Sequence, residues 1–148
     1  MMKRYFFLTM VIFSVFVLYA GKRNANVDNL PLLNTKWILE EIYETSVIHG
    51  FDTAFIVFND HRKFSGNLGC NLFFGEFTFS KKRIKIDYFG STKKYCANMK
   101  PEEEFVKALR DDITHYHIEK NILYLRIKNK TICKFEGHII PSEQRDPE

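Results

Sequence analysis

Apolar and polar residues alternate with a period of two along most of this chain, the pattern of strands with one buried face. Thr35–Ile42 sets Trp37 and Leu39 against Lys36, Ile38 and Glu40. Residues 54–58 form a short β-branched and aromatic run closed by Asn59-Asp60, which predicts a second strand. Segments 63–65 and 72–79 flank a glycine-rich stretch. In the second of them Phe73, Gly75, Phe77 and Phe79 share one face, and Leu72, Phe74, Glu76 and Thr78 the other. After a Lys81-Lys82 turn, residues 83–89 place Ile84, Ile86 and Tyr88 inward, with Arg83, Lys85 and Asp87 outward. Strands at 114–118, 122–127 and 131–136 follow, with Leu123, Leu125 and Ile127 inward and turns at residues 119–121 and 128–130.

One segment changes period. Phe105, Ala108 and Leu109 form an apolar stripe at helical spacing. Pro101 suits the first helical position, where its missing N–H is not needed. Glu102, Glu103 and Glu104 fall at the positive end of the helix dipole, and Lys107 and Arg110 at the negative end. The helix is expected to end near Asp111. About eight short strands and one helix predict a mainly β, α+β fold: an antiparallel sheet curled into a partly open barrel.

The 148 residues imply one domain. Residues 1–20 read as a leader: Lys3 and Arg4 precede an uncharged apolar run ending at Ala20. The run is shorter than the roughly 20 residues that cross a bilayer as a helix, and it matches a signal-peptide core; an uncleaved anchor is the alternative. Lys22 stands where a lipoprotein would need cysteine, so lipid anchoring is not expected. Residues 21–33 read as a polar linker, 34–140 as the folded domain and 141–148 as a polar tail. The formal charge of +4 falls to +2 once Lys3 and Arg4 are set aside, too little for a nucleic-acid footprint. The basic cluster Lys81, Lys82, Arg83 and Lys85, with Lys93 and Lys94 further on, reads as a solvated turn and strand face, with an anionic partner or membrane surface as the alternative.

Candidate chemistry is sparse. Gly66, Gly69 and Gly75 lie in a strand-rich region and suggest bulges or close backbone approach. They do not form a phosphate loop, since no Lys-Ser or Lys-Thr follows them. His115 and His117 would share one strand face, but a metal needs a third ligand, and His49, His61 and His138 have no spacing that supplies it. No metal or cofactor is expected. Asp111-Asp112 reads as a helix-end turn, and Asn129-Lys130-Thr131 fits a glycosylation pattern that matters only in a eukaryotic secretory setting. Cys70, Cys96 and Cys133 are an odd number for an exported chain, and their connectivity does not follow from spacing.

Trp37-Ile38-Leu39 and the Gly69-Cys70-Asn71 core, with Gly66 before it and Gly75 after, resemble the META domain family, to which the heat-shock protein HslJ belongs. Ser91-Thr92-Lys93-Lys94-Tyr95-Cys96 resembles the family's threonine-to-cysteine segment. Glu102, Phe105 and Ala108-Leu109 resemble the helix after it, and Leu123, Leu125 and Phe135 the closing hairpin. The likeness spans about residues 34–136. Lys94 departs from it, standing where the family usually carries methionine, and its side chain is expected at the surface.

The resemblance implies a compact antiparallel domain with one helix in an envelope or secreted setting, linked in some members to stress and antibiotic tolerance. It implies no catalytic activity. Cys70 and Cys96 both fall within family motifs, and a bridge between them would tie the glycine-rich bend to the segment before the helix. Two buried thiols, or a reactive thiol, are the alternatives. Cys133, inside a predicted strand, reads as a small buried apolar residue. The leading expectation is an exported, monomeric, non-enzymatic domain that binds another envelope protein or a small amphipathic molecule. It would not bind nucleic acid, and it would touch a membrane only through an uncleaved N-terminus. A pilot-like assembly factor and a thiol-dependent redox enzyme are the rival expectations.

Overall fold

The computed structural model describes residues 28–47, 53–97, 99–111 and 113–141. The leader at 1–20, most of the linker, His49, Asp112 and residues 142–148 lie outside them. Nine strands and one helix occur among the described residues: β1 (Thr35–Ile42), β2 (Thr45–Ser46), β3 (Phe55–Phe58), β4 (Lys63–Asn67), β5 (Leu72–Ser80), β6 (Arg83–Ser91), α1 (Lys100–Arg110), β7 (His115–Glu119), β8 (Ile122–Ile127) and β9 (Lys130–Ile139). The strands pair antiparallel in the order β2-β1-β3-β4-β5-β6-β7-β8-β9, and β1 also pairs with β9, which closes the sheet into a ring. The strand beyond the expected eight is β2, two residues long. Residues expected in the linker already pack: Leu30 N donates to Lys120 O, Thr35 Oγ1 to Pro31 O and Trp37 Nε1 to Leu32 O.

The inner face of the ring is filled by aromatic residues. Trp37, Phe58, Phe64, Phe73, Phe77, Phe105 and Phe135 are fully buried. The helix joins opposite walls of the ring, because Phe105 packs on Phe73 of β5 at 5.8 Å and on Phe135 of β9 at 5.9 Å between ring centroids. The glycines of β4 and β5 face this crowded interior. A Cβ on Gly66 would overlap the Phe55 carbonyl and the Phe73 ring; one on Gly75 would overlap the Tyr88 carbonyl and the Phe64 ring. Close approach, one of the two readings their sequence allowed, is what requires them.

Two side chains depart from the alternation. Tyr88, expected inward with Ile84 and Ile86, is 56% exposed. Glu76 lies opposite Tyr88 while Phe77 lies opposite Ile86, so Asp87 is an extra residue on β6. Such a bulge exchanges the two faces beyond it; Phe89 therefore turns inward onto Phe73, at 5.8 Å. A second register shift, between Leu125 and Arg126, leaves Ile132 as an extra residue on β9, and Ile127 still packs on the core as expected, though only half-buried. Phe79 runs past the end of the core and is 37% exposed.

Candidate functional site

Gly69, Cys70, Asn71, Thr92 and Cys96, far apart in sequence, come together at one bend. Gly69 adopts a φ of 114°, which favours glycine, and its N–H donates to Asn67 Oδ1 at 2.6 Å. Asn71 is buried and uses both ends of its amide. Its Oδ1 accepts from Thr92 Oγ1 at 2.8 Å and from Lys94 N at 2.6 Å. Its Nδ2 donates to Lys94 O at 3.1 Å and to Glu102 Oε1 at 2.7 Å. The other Glu102 oxygen accepts from the backbone N–H groups of Cys70 and Asn71, at 3.1 and 2.8 Å. Cys70 and Cys96 stand at disulfide distance, 1.90 Å between sulfurs. Three motif positions stay apart from this group: Trp37, Gly66 and Gly75 belong to the core. The arrangement fastens the start of α1 and the segment before it to the β4–β5 bend, with every bond directed at holding chain. Sequence reasoning read Glu102 as a helix-dipole carboxylate and, through the family resemblance, as a position of the helix motif, but not as the acceptor that holds the bend.

The remaining candidates fall elsewhere. Cys133 is fully buried on β9, as expected, and burial together with the Asp111 charge pushes its thiol well above the usual range. Lys94 keeps its side chain exposed while its backbone serves Asn71. Asp111 caps the C-terminus of α1 and accepts a short hydrogen bond from the Tyr43 hydroxyl. Burial, reinforced by that bond, pushes the Tyr43 phenol up to about 12. His115 and His117 lie on the outer face of β7: the first contacts Thr114 Oγ1 at 2.8 Å and the second stacks on Tyr124. No group of three or more His, Cys, Asp or Glu able to hold a metal occurs among the described residues. No described helix is long and apolar enough to cross a membrane.

The ring is weakest between β6 and β7. Among the described residues their ladder is one residue pair, Arg83 with His115, flanked by Ile84 N to Thr114 O at 3.2 Å and Tyr116 N to Lys82 O at 2.9 Å. From Ile86 to Ser91, β6 pairs with β5 alone among the described strands. A cleft of about 830 Å³ opens along this edge, between β6, the last turn of α1 and the start of β7. Ile84, Ile86, Phe89, Leu109 and Ile113 form its apolar floor. The rim carries Arg83, Lys85, Asp87, Arg110, Asp111, His115 and Lys128. Lys85 Nζ donates to Asp87 Oδ1 at 2.8 Å, and this bond holds the Asp87 carboxyl below the usual range. Arg110 lies over the Phe89 ring at 5.2 Å. No sequence signal marked this cleft, because it is made by the divergence of two strands.

Three solved structures share the fold. A protein solved by NMR is 22% identical, with a TM-score of 0.57 over 70% of this chain and 88% of its own. An NMR structure from Burkholderia xenovorans is 17% identical, with a TM-score of 0.58 over 72% and 83% of the two chains. A crystal structure of a DUF4847 family protein from Bacteroides vulgatus is 17% identical, with a TM-score of 0.53 over 71% and 93%. At these identities the likeness is one of fold. No curated protein sequence matches. Residues 30–138 match the META domain, nearly all of the described chain, and on that match the protein belongs to the META domain family.

Proposed function

We propose that this META domain is a non-enzymatic binding module of the cell envelope that takes a small amphipathic molecule into the β6–β7 cleft. The observation that carries the reading is the cleft itself. Its volume of about 830 Å³ lies within the range of roughly 300–1,000 Å³ common for small-molecule sites. An apolar floor bordered by charge suits a ligand with both characters. Two features favour binding over thiol chemistry: Cys70 is paired with Cys96, and Cys133 is buried with a thiol held protonated. The leader-like N-terminus and the cysteine pair support export, since disulfides persist in oxidising compartments. A stress-protective setting follows from the family resemblance.

A second reading, an assembly factor for a larger envelope protein, draws on Leu72, Phe74 and Tyr88, which are 52%, 51% and 56% exposed on the outer face of β5 and β6. One experiment separates the two. The protein is purified from its own cells and subjected to native mass spectrometry, beside Ile86→Glu and Phe74→Asp variants. A small adduct lost in Ile86→Glu and kept in Phe74→Asp is the expected outcome. A co-purifying protein lost only in Phe74→Asp, with no small adduct in any sample, would replace the leading reading with the second.

A further inference from the structure

The cleft rim continues into a row of basic residues on the outer face of the sheet. Arg83 lies opposite His115, and His115 lies opposite Arg126. All three point outward, because their neighbours Ile84, Tyr116 and Leu125 turn toward the core. Facing residues on neighbouring strands stand only about 5 Å apart, so the two guanidinium groups flank one imidazole, with no carboxylate in the row. The ion pairs among the described residues are His61 with Asp60, Lys85 with Asp87 and Lys134 with Glu41. Arg83, Arg110, Arg126 and Lys128 have none. Arg126 Nε is also buried without a hydrogen-bond partner, the one such side-chain atom among the described residues. The guanidinium packs over the Tyr124 ring at 5.5 Å, which fixes its plane and leaves that N–H unanswered. Lys128 is held beside the row, its backbone N–H donating to Thr114 Oγ1 at 3.1 Å.

We propose that this row receives the head group of the ligand, and that the ligand is an anionic amphiphile: a carboxylate, phosphate or sulfate on Arg83 and Arg126, with its apolar part along Ile86 and Phe89. A planar guanidinium with free N–H groups suits an oxyanion better than any neutral head. An anion there would offset the two unpaired guanidinium charges of Arg83 and Arg126. The inference rests on the binding reading above and specifies the charge of its ligand.

The test compares dodecanoate, dodecyltrimethylammonium and dodecyl maltoside, each below its micelle concentration, by titration calorimetry on the folded, oxidised protein. Dodecanoate is expected to bind about ten-fold or more tightly than the maltoside, and the ammonium amphiphile most weakly. In an Arg83→Gln/Arg126→Gln double variant, dodecanoate should fall to the level of the maltoside measured on the same variant. Both positions point outward, so thermal unfolding of the variant serves as the check on folding. Equal affinities for dodecanoate and the maltoside, or dodecanoate binding that survives the double substitution, would overturn the anionic assignment and leave the cleft reading standing. Binding of none of the three would overturn both.

Discussion

At the scale of single residues, Glu102 is the informative one. It is a carboxylate in the first turn of α1, yet it is only 7% exposed, and its two oxygens accept three hydrogen bonds from Cys70 and Asn71. Removing it leaves those donors buried without acceptors, and an orphaned buried donor costs more than a bond is worth when made. Glu102→Ala is therefore expected to lower the unfolding free energy by roughly 2–4 kcal/mol in urea denaturation. Glu103→Ala next to it, exposed and outside this network, should stay within about 0.5 kcal/mol of the parent. Equal effects of the two substitutions would mean that the bend is not held through Glu102. The sequence placed both glutamates in the same helical turn; the family resemblance named Glu102, but nothing local showed that it would be buried. Burial of a carboxylate is decided by donors that arrive from elsewhere, here from Asn71 and its neighbour, 31 and 32 positions away.

At the scale of elements, the helix is the piece that needs fastening. Its apolar stripe was legible from the spacing of Phe105, Ala108 and Leu109, all fully buried in the ring. Its start, by contrast, has no side-chain cap at Met99 and depends on the bend. The Cys70–Cys96 pair closes a separation of 26 residues, for which chain entropy gives a stabilisation of about 3–4 kcal/mol. A Cys70→Ser/Cys96→Ser variant should lose about that amount in chemical denaturation. Its loss and that of Glu102→Ala should be non-additive, because both act on one bend. Strict additivity would show the disulfide and the carboxylate to be independent supports. The strands were legible for a plainer reason: alternation is a local property, and Thr35–Ile42 and Ile122–Ile127 need no distant partner to display it. The bulge at Asp87 was not legible, since an extra residue exists only relative to the partner strand.

On the scale of the whole molecule, the ring is unequal around its circumference. β8 and β9 pair from Ile122 with Glu136 to Ile127 with Lys130, and β1 and β9 from Thr35 with Ile139 to Ile42 with Cys133. The β6–β7 junction is the exception, one pair long. Protection from hydrogen exchange follows hydrogen bonding and local opening. Seam-facing amides within residues 86–91 should thus exchange faster than those of β8 and β9 by at least on the order of a hundred-fold. A saturating ligand in the cleft should slow them. Uniform protection around the ring would argue that the seam is closed in solution and that the cleft is not an entrance.

By itself, the sequence determined the eight longer strands, the helix, and most of the aromatic residues that seek the interior, Tyr88 and Phe79 apart. These depend on side-chain periodicity and turn chemistry, which act over a few residues. Its motifs also pointed to the bend at Asn71 and to the pairing of Cys70 with Cys96. Only the tertiary structure decided which glutamate is buried, where a bulge turns Tyr88 outward, and where the ring fails to zip. It also brought Arg83, His115 and Arg126 into one row. Cross-strand register, desolvation and strand divergence are set by residues tens of positions apart, and no local pattern of hydrophobic and polar positions records them.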